Sequence, residues 1–454
     1  MTLASSHRRY VRTVASIAAL GGLLFGYDTG VMSGALLYIT PEFHMTPTQE
    51  GRVTAMLLVG AALGAVTGGR VAGALGRRLT LILAAAVFIL GSLWCAFSGS
   101  VLMLTCARTF LGVAVGAVSI VAPMYIAEMV PAGVRGRLVS LNSLMIVVGQ
   151  LLAYFVNSVL ASSGNWHLML GMAAVPGLLL GVGMIFLPDT PYWYAQRDRT
   201  EEAERVAARS GTSLKDFLDD AEPSSGPRRA EWAALKERWL LIAVLIAVGL
   251  GITQQVSGVN AVIYFAPTMM NQVGISTENS VYTSIVIGLV SVVACWVGLR
   301  IVDKVGRRRL LSIGLTGNIV SLVLVAITFR IAEGNSSLAY LCLALMALFV
   351  AFQQAAVSLS TWLLISEIVP VQVRSLGMGV AGLMLWVANW FVAQFFLPMV
   401  DLFSATGAFA VFAVLGALSL LFVRVFVPET TGRSLEEVSE GLRARFARPA
   451  ASAS

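Results

Sequence analysis

The sequence predicts an all-α membrane protein of about twelve transmembrane helices, arranged as two six-helix bundles related by pseudo-two-fold symmetry. Three observations carry this: apolar stretches of spanning length recur along the chain, its basic residues fall on one side of them, and the second half repeats the first. Of 454 residues, 57% are apolar and 12% charged, which fits no soluble class. Lipid offers the backbone no hydrogen-bond partner, so crossing about 30 Å of hydrocarbon takes roughly 20 mostly apolar residues in helical form.

Such stretches lie near 13–38, 53–75, 79–98, 101–122, 138–160, 167–187, 238–258, 281–302, 309–330, 338–362, 375–398 and 406–427. The first follows Arg8, Arg9 and Arg12 as a secretory signal would. It is too long for a signal's apolar region, carries Asp28 and lacks a small-residue cleavage site, so it reads as a helix. With the N-terminus inside, Arg77, Arg78, Arg135, Arg137, Lys304, Arg307 to Arg309 and Arg374 all fall in inner loops, and only Arg52 and Arg330 in outer ones. The positive-inside rule then places both termini in the cytoplasm of a cell (inner or plasma) membrane. The formal charge of +7 reflects this topology and implies no nucleic-acid partner; the lipid bilayer is the partner. Cys95, Cys106, Cys295 and Cys342 lie inside spans without ligand spacing and read as packing residues. His7, His44 and His167 form no cluster with carboxylates, so neither a metal, a cofactor nor an enzyme is expected. Trp166 and Trp239, at span ends, read as interfacial belt residues.

The apolar pattern stops at 188–237, where Pro223, Ser224, Ser225, Gly226 and Pro227 sit among charges. The expected division is a first bundle at 1–187, a cytoplasmic linker at 188–237, a second bundle at 238–430 and a cytoplasmic tail at 431–454. Within the linker, EEAERVAARS from Glu201 to Ser210 has helix-forming composition and charge pairs three and four apart, predicting short helices. GRR at Gly76 recurs at Gly306, AEMVPAGVRG at Ala127 is matched by SEIVPVQVRS at Ser366, and PDTP at Pro188 is answered by PETTG at Pro428. A repeat in the same order on the same membrane side implies bundles related by an axis along the membrane normal, with a substrate site at their interface near the midplane.

FGYDTGVMSG in the first span, RTFLGVAVGAVSIVAPMYIAE in the fourth, PDTPYW after the sixth, QQVSGVNAVIYFAP in the seventh, WLLISEIVP in the tenth and PETTGRSLEEV after the twelfth together resemble the sugar porter family of the major facilitator superfamily, and within it bacterial xylose and glucose proton symporters. The resemblance runs nearly the whole length. It implies the major facilitator fold, a monomer, and import of a hexose or pentose with a proton by rocker-switch alternating access. Its partners are then a small-molecule sugar and a proton, with no cofactor.

Charges within spans are expensive and therefore mark function. The first helix runs outward, which places Asp28 about 15 Å below the outer surface at about 1.5 Å per residue. The fourth runs inward and places Arg108 roughly 10 Å below it, so the two can meet. A carboxylate beside a guanidinium stays ionised, and one separated from it in a desolvated site takes up a proton. The resemblance gives Asp28 the part of proton carrier and Arg108 that of its partner. The competing reading is a static pair that fixes helix packing.

A sugar presents hydroxyls and apolar faces, so its site needs amides and aromatic rings. The seventh span supplies Gln254, Gln255, Asn260 and Tyr264, which share a face if the helix unwinds around Gly258. By resemblance these match sugar ligands, as do Trp362 and Trp386; Asn389, in the eleventh span, and Phe25, near Asp28, join the candidate set. The family's fifth-helix glutamine is Ser143 here, with Gln150 two turns on, and the glutamine before the eleventh-helix tryptophan is Leu385. Ser358 and Leu359 replace a Gly-Pro ahead of Trp362. Interhelical hydrogen bonding is the plainer account of polar residues in spans.

Arg77, Arg78, Glu128, Arg135, Asp303, Arg307, Glu367 and Arg374 are the candidate cytoplasmic gate. The resemblance implies ion pairs that hold the inner side closed. Gly73 and Ala74 replace the charged residues usual before the first GRR, which predicts a weaker latch, whereas Asp303 and Lys304 keep the pattern. The alternative for all eight is topological anchoring. Three other functions compete: a passive facilitator, a porter of a cyclic polyol such as inositol, and a non-transporting sensor, which a short tail after Glu429 disfavours.

Overall fold

The computed structural model describes residues 5–219, 228–331 and 336–446. The first half contains α1 (Ser5–Glu42), α2 (Pro47–Leu75), α3 (Arg77–Ala96), α4 (Val101–Met129), α5 (Ala132–Leu160), and α6 (Trp166–Gly171) with α7 (Ala174–Ile185) as one crossing. The short helices α8 (Pro191–Ala195), α9 (Thr200–Arg209), α10 (Leu214–Asp219) and α11 (Arg228–Ala234) follow. The second half contains α12 (Arg238–Val256), α13 (Val259–Gln272), α14 (Thr277–Val305), α15 (Arg307–Ile331), α16 (Ser336–Phe352), α17 (Ser358–Ile368), α18 (Arg374–Phe426) and α19 (Leu435–Phe446).

Eleven helices among the described residues are long and apolar enough to cross a membrane. The last, Val371–Phe426, has 56 residues, about 80 Å of helix, more than twice the hydrocarbon thickness. It is two crossings: Ser404 alone leaves the helical region, at φ 63° and ψ 166°. The loop expected at 399–405 is otherwise helical, because Val400, Leu402 and Phe403 give it the composition of the spans it joins. The seventh crossing breaks after Val256 and resumes at Val259, with Gly258 at φ 89°. It runs on to Gln272, well past the expected end at 258, so Asn260 and Tyr264 lie on α13.

The chain forms two compact units. One contains Met1–Glu222, Ile263–Asn271 and Ile275–Val292; the other contains Pro223–Val262, Gln272–Gly274 and Val293–Ser454. In the first, small residues bring backbones into contact, as membrane helices without a hydrophobic driving force require. Along α1, Gly22, Gly26, Gly30 and Gly34 face α5 so closely that a Cβ at Gly26 would lie 1.8 Å from the Ile146 carbonyl oxygen. α2 and α4 interlock in the same way, a Cβ at Gly64 falling 2.0 Å from Val113 O and one at Gly116 1.9 Å from Ala61 O. α1 meets α4 directly at Gly21, where a Cβ would fall 2.6 Å from Val118 and 2.8 Å from Ala122.

The linker helices are docked. Ser210 Oγ donates to Met129 O at 3.0 Å, and His7 Nδ1 lies 3.0 Å from Arg209 O. In the second unit the buried Glu231 carboxylate accepts the Leu376 N–H at 2.7 Å, capping the first turn of α18. The tail contributes α19, whose Val438 and Leu442 join a core with Trp239, Leu364 and Val423. Residues 220–227 and 447–454 of the expected linker and tail lie outside the described set.

Two tryptophans differ from expectation. Trp166 is buried, stacks on His167 and donates its indole N–H to Glu42 at 2.6 Å. Trp239 is a core residue whose N–H reaches Glu237 at 2.8 Å. Position at a span end suits a belt residue, but a carboxylate in reach allows the indole to bury. Cys106 is exposed, whereas the other three cysteines are buried.

Candidate functional site

In the first unit Arg108 Nη1 donates to Asp28 Oδ1 at 2.6 Å, and each side chain is 1% exposed. The close approach of α1 to α4 at Gly21, against Val118 and Ala122, lets the two helices present the pair to each other. One hydrogen bond does not saturate it. Asp28 Oδ2, Arg108 Nε and Nη2, and the neighbouring Tyr27 hydroxyl are buried without a hydrogen-bond partner among the described residues. The pair therefore keeps acceptor and donor capacity that a changed arrangement of the helices can use. Gln150 on α5 is buried with its Oε1 likewise unpaired, and Ser143 and Phe25 are half-buried. Tyr264 is buried on the part of α13 that belongs to this unit, beside Ile263, whose carbonyl accepts from Tyr154 OH at 3.4 Å.

In the second unit the amides of the seventh and eleventh crossings are already joined. Asn260 Nδ2 donates to Gln255 Oε1 at 2.7 Å and to Asn389 Oδ1 at 2.8 Å. Gln255 and Asn260 meet because the helix breaks between them. The neighbouring Gln254 is buried with Oε1 unpaired among the described residues. Trp386 is buried, and Trp362 is 44% exposed. Leu385 is buried as well, so it offers surface without a hydrogen bond.

The candidate gate residues form one cluster in each unit. In the first, Arg77 Nη2 pairs with Glu128 Oε1 at 2.9 Å, and the Thr190 hydroxyl donates to Glu128 Oε2 at 2.6 Å. Arg78 donates to the Met184 and Ile185 carbonyls at the end of α7. The Gly73 and Ala74 carbonyls are held from the linker: Trp193 Nε1 reaches Gly73 O at 3.3 Å and Arg197 Nη2 reaches Ala74 O at 2.5 Å. In the second, Arg307 pairs with Asp303 at 2.9 Å and with Glu367 at 3.4 Å, and Thr430 donates to Glu367. Arg135, in the first turn of α5, and Arg374, heading α18, are half-buried at matched places in the repeat.

Two carboxylates at the heart of these clusters were visible only as repeat positions. Asp189 accepts the Arg77 N–H at 3.0 Å and the Arg78 N–H at 3.2 Å, capping α3 where Gly76 (φ 96°) leaves no side chain in the way. Glu429 does the same for α15, accepting from Arg308 N and Arg309 N at 3.3 Å each, while Thr431 Oγ1 takes the Arg307 N–H at 3.1 Å. Both satisfy N–H groups that helix starts leave unpaired. They differ in charge balance. Burial pushes the Asp189 carboxyl above its ordinary value despite the N–H bonds from Thr190, Arg77 and Arg78. For Glu429, burial pushes upward too, but the Thr431 hydroxyl and the N–H groups of Thr431, Arg308 and Arg309 outweigh it and hold the carboxyl below its ordinary value. The matched PDT and PET triplets were the signal. Among the described residues no group of three His, Cys, Asp or Glu side chains is suited to a metal ion.

The family model described as "Sugar (and other) transporter" matches residues 14–442. The major myo-inositol transporter IolT of Bacillus subtilis (strain 168) is 39% identical over 455 residues, covering 96% of this chain and 95% of that one. The galactose-proton symporter of Escherichia coli (strain K12) is 34% identical, with 94% of each chain covered. Among solved structures, the partially occluded inward open conformation of the xylose transporter XylE from E. coli matches with a TM-score of 0.82 at 27% identity, covering 94% of this chain and 100% of that one.

Proposed function

Because this chain belongs to the sugar transporter family of the major facilitator superfamily, and is a multi-pass membrane transporter and no enzyme, we propose that it imports a monosaccharide, hexose or pentose, together with a proton. The observation that carries this is the buried Asp28–Arg108 pair. Desolvating two charges costs several kcal/mol per ion even after relaxation, and an intramembrane ion pair kept at that cost marks an ion pathway. A proton from the outer side binds the Asp28 carboxylate when Arg108 draws away, and leaves to the inner side when the pair re-forms. Sugar binding at Gln254, Gln255, Asn260 and Asn389 is linked to this exchange because both accompany alternating exposure of the 1–187 and 238–430 bundles, joined by the 188–237 linker. The protein acts as a monomer in the cell membrane with both termini cytoplasmic, on the one-sided distribution of its arginines and lysines.

Asp28→Asn keeps the shape and removes the proton site. In proteoliposomes this variant should keep sugar counterflow and lose uphill accumulation driven by a proton gradient. Accumulation at the wild-type level would overturn coupling through Asp28; counterflow of no hexose, pentose or inositol by the wild type would overturn the substrate class.

A cyclic polyol is the second reading. Leu385 and Ser143 make the candidate set poorer in amides than the resemblance leads one to expect, and a relative named for myo-inositol transport is 39% identical. A site built around hydroxyl contacts discriminates sharply between substrates, so competition between glucose, xylose and myo-inositol separates the two readings.

A further inference from the structure

The break in the seventh crossing leaves the Gln254 carbonyl without its helical partner. Gly258 N–H, which would serve Gln254 O in an unbroken helix, turns to Gln255 O at 3.0 Å, and Ser257 N–H goes to Thr253 O at 3.3 Å. An orphaned carbonyl in a buried, lipid-surrounded bundle must be satisfied by side chains. Two do this: Ser257 Oγ donates to Gln254 O at 2.7 Å, and Gln353 Nε2 donates to it at 3.3 Å.

Gln353 is fully buried and opens the one-turn π-helix Gln353–Val357 that joins α16 to α17. Its Oε1 accepts from Asn318 Nδ2 on α15 and lies 3.2 Å from Ser257 Oγ, whose single proton goes to Gln254 O. Asn318 is itself 1% exposed. Gln254 O can only accept, so it fixes the Gln353 amide with its NH2 toward that carbonyl and its oxygen toward Asn318 Nδ2. α15 lies tight against this segment, since a Cβ at Gly317 would come 2.3 Å from the Phe352 ring and one at Gly314 2.7 Å from Ala356. The extra residue of a π turn is often found at functional positions; here it stands nine residues before Trp362, where Ser358 and Leu359 leave the crossing without a Gly-Pro bend.

We infer that Asn318 and Gln353 are positioning residues for the substrate: through the Gln254 carbonyl they set the direction in which Gln254 and Gln255 project from the broken helix, and they tie that direction to the π turn of the tenth crossing. This rests on the sugar-transport reading. Both amides are fully buried and turned on protein groups, so their loss should act on recognition through Gln254 and leave the translocation step alone.

The test is uptake kinetics in proteoliposomes for wild type, Gln353→Leu, Gln353→Glu and Asn318→Asp, with Ser360→Ala as a buried polar control on the same crossing. Gln353→Glu keeps the acceptor for Asn318 but cannot donate to Gln254 O. Asn318→Asp reverses the Gln353 amide and turns its oxygen on Gln254 O. Each should raise KM about tenfold, the worth of one well-placed hydrogen bond, while kcat stays within about twofold and discrimination between a hexose and myo-inositol relaxes. Ser360→Ala should leave KM unchanged. A fall in kcat or in folded protein with KM unchanged in the two near-isosteric variants would show mere interhelical glue and overturn positioning. Failure of the wild type to carry any polyhydroxylated solute would overturn the transport reading, an outcome separate from any ratio between variants.

Discussion

Among the described residues Arg77, at the head of α3, makes a side-chain ion pair with one carboxylate, Glu128; Arg307, at the matched head of α15, makes them with two, Asp303 and Glu367. The parts around them are otherwise the same: a glycine at φ 96° or 94°, a threonine hydroxyl on the distant glutamate, and a carboxylate capping the helix start. The first cluster lacks the acid because Gly73 stands where the second has Asp303. Its helix end is instead held through the Gly73 and Ala74 carbonyls by Trp193 and Arg197. The difference teaches that backbone anchoring from the linker can replace an ion pair in position but not in charge, since carbonyl contacts do nothing to neutralise Arg77.

Removing the shared glutamate breaks this comparison most sharply. In Glu128→Gln, Arg77, 7% exposed, loses its one ion-paired carboxylate among the described residues and keeps only the longer-range field of Asp189, and removing the paired partner of a buried cation costs about 3 kcal/mol. In Glu367→Gln, Arg307 keeps Asp303, whose side chain is 75% exposed, and the loss should be about 1 kcal/mol. Thermal unfolding of the purified protein in detergent should show the larger loss for Glu128→Gln. Equal losses would mean that Gly73 and Ala74 leave Arg77 no worse placed than Arg307.

A smaller effect lies in the capping carboxylates and their opposite displacements. Asp189 titrates above its ordinary value when folded, so its protonation favours the folded state, and its contribution grows as pH falls through the folded value toward the ordinary one. Glu429 titrates below its ordinary value, so its contribution is complete above that value and is lost as pH falls through the folded one. On acidification from neutrality, Asp189→Asn should therefore lose stability faster than the wild type, and Glu429→Gln more slowly. Unfolding temperatures measured at several pH values decide this, and parallel curves for the two variants would remove the asymmetry.

Much of this architecture is legible in the sequence because it depends on composition and order. Hydropathy marks the crossings, arginine placement suggests their direction, and Asp28 and Arg108 reach each other by counting residues along helices whose ends are known. The features that escape depend on contacts between distant residues. Ser404 turns a 56-residue helix back with no glycine or proline at the turn itself. Trp166 is buried because Glu42 takes its N–H. The Gln353 π turn has no composition of its own, and Asn318 looks like any polar residue in a span until the broken α12 end is seen beside it. Asp189 and Glu429 fall between these cases: the repeat marks them, and only the helix starts they cap say why.

The mildest test restores the missing acid. A Cβ at Gly73 meets nothing within 4 Å, so Gly73→Asp fits and stands four residues before Arg77, the spacing at which Asp303 pairs with Arg307. Part of any gain comes from the backbone, because replacing glycine within a helix is worth about 0.5–1 kcal/mol, and Gly73→Ala measures that part alone. An acidic group near the C-terminal end of α2 also opposes the helix dipole by about 0.3–1 kcal/mol, nearly cancelling an exposed pair worth a similar amount. In the wild type, Gly73→Asp should thus be within about 0.5 kcal/mol of Gly73→Ala. In the Glu128→Gln background the same aspartate faces an arginine with no other ion-paired carboxylate among the described residues and should recover about 1 kcal/mol more than alanine does. If aspartate and alanine are equal there too, Arg77 never lacked a counter-charge, and the linker's hold on the Gly73 and Ala74 carbonyls is the whole of what distinguishes the two inner ends.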